Sequence, residues 1–555
     1  MKEKLLEDIS KFDLPLNNYL KDNFNSFTLA NYVDYYSKLN GNKQALCHID
    51  KNGKRREFTY NDLSKLSNKM ANYLKRKGVK KRDVVALVLR NNYEFYIVSL
   101  AIQKLGAIAL TLQYSNKVDQ YKNIFKRANP KCVIADDYEI VQGKNNSSFV
   151  LDELNKACDT NIIKMCTYPK SVYSNNWNYL NEYEREKDEF ENENVGIYDL
   201  GYLFSTSGTT GEAKLVMHNY GFALSHFYTG LWYGVKKEKK HYTISDSGWS
   251  MSLWNMCAVL LHQGVIYIND FDRFDPKYIL NCMDKEKINS LCAPRSILVP
   301  LFNYLDNSHH NLKLNLESIS SAGELVDDDT KKRCLKYFNV YPKEGYGMTE
   351  VVLPIYEETN GKRVISSLYN DVSIESVPGL TNGEIIVRGG KIGLLMGYLD
   401  KLVNNKEHFV LYRKPPINSN CIVWHTGDAG YFDLGGNVFC DGRLGNTVKV
   451  NDCLVNKLVV ENVIKSHPFV YDCVIESKSD KVSGNVLYAY VELKDNCSIN
   501  AENIKHFVKT KLPDYCRPKY VEFKKLDRTF NGKLKRYDSV EMPDKHLILT
   551  YSKVI

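Results

Sequence analysis

The sequence predicts an α/β protein: a large N-terminal domain of parallel-rich sheets covered by helices, then a small α+β C-terminal domain. Three observations predict it. From about residue 58, short apolar runs alternate with stretches of helical spacing, as parallel strands joined by covering helices would. Near Gly442 that alternation gives way to a shorter mixed pattern. The chain has 555 residues, 43% hydrophobic and 25% charged, which is a globular composition spread over more than one core.

The elements follow in order. Val84-Val-Ala-Leu-Val-Leu89 reads as a short buried strand, and Tyr93 to Lys104 carries helical spacing. The most apolar stretch, Tyr96 to Leu112, is interrupted by Gln103, Lys104 and Gly106, so it reads as a buried helix then a strand, not a membrane span. Lys131 to Ala135 is again a strand, and Asn145 to Asn194 reads as a loop-rich excursion. Tyr202-Leu203-Phe204 ends a strand. Gly435-Gly436-Asn437 is a turn, and Val438 to Gly442 closes the large domain, giving domains 1–442 and 443–555 joined around Arg443 to Thr447. Beyond it, Asn456 to Lys465 reads as a helix ended by His467-Pro468. Val486 to Leu493 alternates like a strand, and Ile504 to Leu512 is helical up to Pro513. Clefts between domains are favoured ligand sites.

Charge and cysteine content exclude several classes. With 75 basic and 66 acidic residues the formal net charge is +9, mild for this length. The runs Lys236-Lys-Glu-Lys-Lys240 and Lys80-Lys-Arg82 read as solvated faces, so no nucleic-acid partner is expected. The 14 cysteines form no Cys-x-x-Cys pair, against structural zinc and a disulfide framework. Met1 to Ser10 is charged and lacks an apolar core segment. The cytoplasm is the expected location, with organelle import left open, and oligomeric state is unknown.

Thr206-Ser207-Gly208-Thr209-Thr210-Gly211-Glu-Ala-Lys214 follows that strand end. Its glycines let backbone N–H groups approach phosphate oxygens, its hydroxyls donate, and Lys214 adds positive charge. It is not the Walker pattern. By itself the segment reads equally as a phosphate cradle or a surface turn. Further motifs follow in order: Ile244-Ser-Asp-Ser-Gly-Trp249, Ser321-Ala-Gly323-Glu324, Glu344-Gly345-Tyr346-Gly347-Met348-Thr349-Glu350, His425-Thr-Gly-Asp428, Gly442-Arg443 and Asn531-Gly-Lys533-Leu-Lys-Arg536.

This series resembles the adenylate-forming superfamily, which includes acyl-CoA synthetases, luciferases and the adenylation domains of peptide synthetases. It covers the chain from about Phe58 to Arg536. The sequence looks most like medium-chain acyl-CoA synthetases through Asp246-Ser-Gly-Trp249, Arg273-Phe-Asp-Pro276 and Lys131-Cys-Val-Ile-Ala-Asp-Asp137. The resemblance implies a distorted β-barrel within the large domain and a mobile small one. It implies an ATP-dependent ligase in which a small-molecule carboxylic acid becomes an acyl-adenylate and is passed to CoA, releasing pyrophosphate and AMP. On that reading Thr206, Ser207, Gly208, Thr209, Thr210, Gly211 and Lys214 hold the β- and γ-phosphates. Glu350 holds Mg²⁺, and Thr349 touches the α-phosphate or the substrate carboxylate. Gly323, Glu324, Glu344, Gly345, Tyr346, Gly347 and Met348 surround the nucleotide. Asp428 accepts the ribose hydroxyls, Arg443 adds contacts, and Lys533 reaches the α-phosphate. Catalysis then rests on Lys533, Thr349 and Glu350. Trp249 lines the acyl channel, whose floor Gly347 leaves open where acetate-specific relatives carry tryptophan. His218 and His226 could face the cleft but receive no proton-transfer role.

Three departures accompany the resemblance. Ala213 stands where proline is usual, and the hinge position is Gly445. The CoA-channel loop reads Asn451-Asp452-Cys453-Leu454, with Asp452 at a usual glycine and Leu454 at a usual arginine. Late in the chain a usual lysine is Cys516. The expected function is therefore a CoA ligase for a medium-chain or branched acid. A non-CoA acceptor such as a carrier protein is the alternative, and a weakened regulatory nucleotide binder is a third reading.

Overall fold

Tyr93–Lys104 forms the helix its spacing predicts, and all its side chains are buried. Asn92 caps it by accepting from the Phe95 amide at 3.1 Å. Burial extends even to Lys104, whose ammonium donates to Asp34 at 2.6 Å and to Asn68 at 2.5 Å. The apolar run is thus core. No helix of the described residues is long and apolar enough to cross a membrane.

This computed structural model describes residues 2–142, 146–206, 213–271, 274–308, 312–323, 326–358, 361–376, 383–403, 406–410, 422–444, 447–450, 453–480, 484–528 and 534. Two compact units divide the described residues: those up to Asp371 with Arg388–Val423, and Val372–Val387 with the described residues from Trp424 to 534.

The first unit carries two nine-stranded sheets among the described residues. One has a parallel centre of Gln44–Ile49, Val265–Asn269, Lys240–Thr243, Ser290–Cys292, Ser318–Ala322 and Pro342–Met348, with antiparallel strands at both edges. The other runs parallel through Leu200–Thr206, Ile108–Thr111, Val84–Val88, Cys132–Ala135 and Ile163–Cys166. Beyond Leu200–Thr206 it continues antiparallel through Lys214–Asn219 and Gly397–Val403. Helices cover these sheets, as the alternation predicts. The region Asn145 to Asn194 corrects the expectation of a loop-rich excursion. It folds a helix, Val150–Ala157, and the strand Ile163–Cys166, which lies between Cys132–Ala135 and Asn178–Tyr179 and runs parallel to both. Ile-Lys-Met-Cys is only four residues long and carries a lysine inside it, so only its sheet neighbours identify it as a strand.

The second unit holds most of a four-stranded sheet ordered Tyr369–Glu375, Gly383–Gly389, Ile422–Phe432, Val438–Arg443. This open sheet answers to the distorted barrel of the expectation. A three-stranded sheet follows: Val470–Asp480 antiparallel to Gly484–Leu493, with Tyr520–Phe523 parallel to the latter. Helices Lys457–Lys465 and Ala501–Lys509 bury Val460, Ile464, Ile504 and Val508 against Ile475 and Leu487. Asn456 caps the first helix through the Leu458 amide at 2.9 Å.

Candidate active site

Both large sheets reverse their winding direction at one strand. In the first, Lys240–Thr243 is followed by Val265–Asn269 on one side and Ser290–Cys292 on the other. In the second, Val84–Val88 is followed by Ile108–Thr111 on one side and Cys132–Ala135 on the other. Such switch points open crevices at the carboxyl ends of the strands, where α/β folds bind ligands. The two ends meet. Ser247 Oγ donates to the Leu89 carbonyl, and Asn91 Nδ2 donates to the Ser245 carbonyl at 2.6 Å.

The predicted residues of the first unit lie at this edge. Thr206 ends its strand and sits directly opposite Lys214 in the antiparallel register. Ser207, Gly208, Thr209, Thr210 and Gly211 lie outside the described residues. Gly323, with φ of 83°, follows Ser318–Ala322, and Glu324 lies outside the described residues. Glu344 to Met348 end the adjacent strand, and Thr349 and Glu350 turn out of it.

Bonds tie these pieces together. His218 Nε2 donates to the Thr349 carbonyl at 2.7 Å. Burial pushes the His218 imidazole down to about 4, so it is neutral here and acts as a fixed donor, not a proton carrier. His226 is likewise pushed well below its ordinary value by burial and bonds Thr229 Oγ1 at 2.9 Å. Tyr398 Oη donates to Glu350 Oε1 at 2.8 Å, and the Lys214 ammonium lies 5.3 Å from the Tyr398 ring centroid.

Two predicted contact residues have structural employment. The Glu344 carboxylate accepts from the Val326 amide at 3.0 Å, lies 3.6 Å from Lys331, and pairs with Arg363. It anchors the chain at Val326 to the strand Pro342–Met348. Gly347 faces backbone: a Cβ there would stand 2.9 Å from the Leu353 nitrogen. Leu353 itself has φ of 39°, rare for leucine, and the register shifts between Tyr346 and Met348. The glycine permits this close approach. Trp249 caps the helix Ser250–Leu261, and its indole Nε1 is buried without a hydrogen-bond partner.

In the second unit, Asp428 is presented by a run of local bonds. Glu384 accepts from the Gly427 amide at 2.8 Å and meets His425 Nδ1 at 3.0 Å. Thr426 Oγ1 donates to the Ile385 carbonyl at 2.8 Å and accepts the Asp428 amide at 3.0 Å. Arg443 Nε donates to Asp428 Oδ1 at 3.0 Å while the Arg443 side chain stays 65% exposed. Strands Thr447–Val450 and Cys453–Asn456 pair antiparallel, and Asn451 and Asp452 between them lie outside the described residues. Glu461 is buried and accepts from the Ile475 amide at 2.9 Å, which commits it to the fold. Lys533 lies outside the described residues. Leu534, beside it, pairs with Arg528 and packs against Val474, Tyr490 and Leu526.

Sequence reasoning missed Tyr398. Nothing local marks it, since it is an apolar-looking strand residue whose role comes from register with Val216.

Known proteins match along most of the chain. A family model described as AMP-binding enzyme matches residues 36–399, and one described as AMP-binding enzyme C-terminal domain matches residues 459–533. The 4-hydroxybutyrate–CoA ligase 1 of Metallosphaera sedula is 27% identical over 97% of this chain and 93% of its own length. The human mitochondrial acyl-coenzyme A synthetase ACSM3 is 26% identical over 88% of this chain and 84% of its own. Among solved structures, the anthranilate CoA ligase AuaEII in complex with anthranoyl-AMP superposes with a TM-score of 0.76 at 19% identity. It covers 92% of this chain and 96% of that one.

Proposed function

This chain belongs to the AMP-binding enzyme family, and on that premise we propose that it is an AMP-forming acyl-CoA ligase. The observation that carries the reading is the convergence of Thr206, Lys214, Thr349 and Glu350 at the carboxyl ends of two sheets, locked by His218 and Tyr398. In the first step a carboxylate oxygen attacks the α-phosphorus of ATP and pyrophosphate leaves. In the second the CoA sulfur attacks the acyl carbon, AMP leaves, and the thiol proton goes to solvent. Joining two anions needs fixed positive charge and aligned donors. Lys214 and the loop before it supply these to the β- and γ-phosphates, and Lys533 supplies charge at the α-phosphate. Asp428 accepts the ribose hydroxyls beside Arg443. Glu350 is a single hard oxygen donor, which fits Mg²⁺ taking its other ligands from phosphates and water. When bound, that ion neutralises phosphate charge. Thiols such as Cys47, Cys132, Cys257 and Cys292 are buried, which supports a reducing compartment such as the cytoplasm.

The substrate on this reading is a medium-chain or branched carboxylic acid; similar proteins include a 4-hydroxybutyrate–CoA ligase and an acyl-coenzyme A synthetase. The test is pyrophosphate and AMP release with acetate through decanoate, branched acids and 4-hydroxybutyrate, each with and without CoA. CoA-dependent AMP release with at least one acid is expected. One departure favours a second reading: Asp452 and Leu454 replace the glycine and arginine of the CoA-channel loop. Pyrophosphate exchange without CoA-dependent AMP release would favour a non-CoA acceptor. Lys533→Ala should lower adenylate formation by about 10²–10³-fold and spare thioester formation from supplied acyl-adenylate. Equal loss in both would remove Lys533 from the first step.

A further inference from the structure

The strap Gly393–Tyr398 joins the strand carrying Lys214 to the turn carrying Glu350. The Val352 amide donates to the Gly393 carbonyl at 2.9 Å, and the Leu395 amide to the Glu350 carbonyl at 2.9 Å. The Met396 amide donates to the Met217 carbonyl at 2.7 Å, and Tyr398 pairs with Val216. The strap ends in one side chain that touches both charged groups. The Tyr398 hydroxyl donates to Glu350 Oε1 at 2.8 Å, and its ring face lies 5.3 Å from the Lys214 ammonium. Tyr398 is 6% exposed, so its rotamer is set by packing.

We propose that Tyr398 is a positioning residue that fixes the Glu350 carboxylate and the Lys214 ammonium relative to each other. The inference rests on the reading of Glu350 as a metal ligand and Lys214 as a phosphate contact. The hydroxyl occupies one carboxylate oxygen and leaves the other for the ion. It thereby sets which oxygen faces the phosphates, as partners of ligating carboxylates do. The ring gives the lysine a weak cation–π seat that a phosphate can outcompete. The strap's backbone bonds join the two elements, and the Tyr398 side chain fixes the spacing of their charged groups.

The test is Mn²⁺ binding in the presence of ATP, read by electron paramagnetic resonance on the full chain. Wild type, Tyr398→Phe, Glu350→Gln and the double variant are compared below every variant's melting temperature. Tyr398→Phe should bind Mn²⁺ with ATP about tenfold more weakly. Glu350→Gln should bind more weakly still, and the double variant no worse than Glu350→Gln. Tyr398→Leu, which also removes the ring, should raise the KM for ATP beyond the value for Tyr398→Phe. If Glu350→Gln weakens binding while Tyr398→Phe matches wild type, or if the two losses add, the proposal for Tyr398 is overturned. If Glu350→Gln itself binds like wild type, the metal reading falls and the proposal falls with it.

Discussion

Asp428 owes its placement to neighbours: Glu384 holds the Gly427 amide, and Thr426 holds the Asp428 amide. Its carboxylate is nearly buried, while Arg443 reaches it from the exposed side. Asp428→Ala should therefore raise the KM for ATP by about ten- to a hundredfold, since each ribose hydroxyl left unpaired costs about 1–3 kcal/mol. The steady-state ATP dependence checks this, and an unchanged KM would mean that the ribose is held elsewhere. Gly347 follows a different logic. The sequence suggested an open pocket floor there, but any side chain would first meet the Leu353 backbone. Gly347→Ala should thus lose adenylation with every acid alike and destabilise the fold by roughly 1–3 kcal/mol, as overpacking does. A changed chain-length preference at full stability, measured with the same acid panel, would restore the acyl-floor role.

Whole elements were legible where their signal was local. Tyr93–Lys104 announced itself by spacing, and Lys457–Lys465 by its run up to His467-Pro468. Ile163–Cys166 did not, because its identity comes from a partner strand, and the Tyr398–Glu350 contact did not, because register across distant segments sets it. The site followed the same division. The loop and turn motifs could be read, whereas the ion pairs that occupy Glu344 could not. Helix Tyr93–Lys104 also carries a testable cost. Burial, helped by the nearby Asp136 charge, pushes the Glu94 carboxyl up to about 7. A raised carboxyl gives its full stability below its unfolded value of 4.5 and loses it as pH rises through 7. At pH 8 that loss amounts to roughly 3 kcal/mol. Glu94→Gln should raise the urea midpoint at pH 8 and change it little at pH 5. The same change at both values would mean that Glu94 is not titrating in this range.

At the scale of the molecule, the first unit buries five histidines as neutral rings. Burial pushes His48, His218 and His262 down to about 4, His241 to about 3, and His226 well below its ordinary value. A histidine depressed in this way contributes stability above its unfolded value of 6.5 and loses it as pH falls toward the folded value. Carboxyls raised by burial oppose the trend, among them Glu94, Asp246, Asp136 and Glu357. Glu94, near 7, and Asp246, raised by burial to about 6, both favour the folded state in acid. Near pH 5 the five histidines take up protons on unfolding, while the raised carboxyls release them. The five depressed histidines make stability fall as pH drops from 7 toward 5, against a typical total of about 5–15 kcal/mol. All five histidines belong to the first unit, so its unfolding transition, and not that of the second, should shift. Urea unfolding from pH 7 to pH 5, followed by tryptophan fluorescence with proton uptake measured by calorimetry in two buffers, reads both quantities. A midpoint that stays level across that range would mean that the buried rings exchange protons without unfolding. In that case the core around His226 and His241 must open to water in the native state.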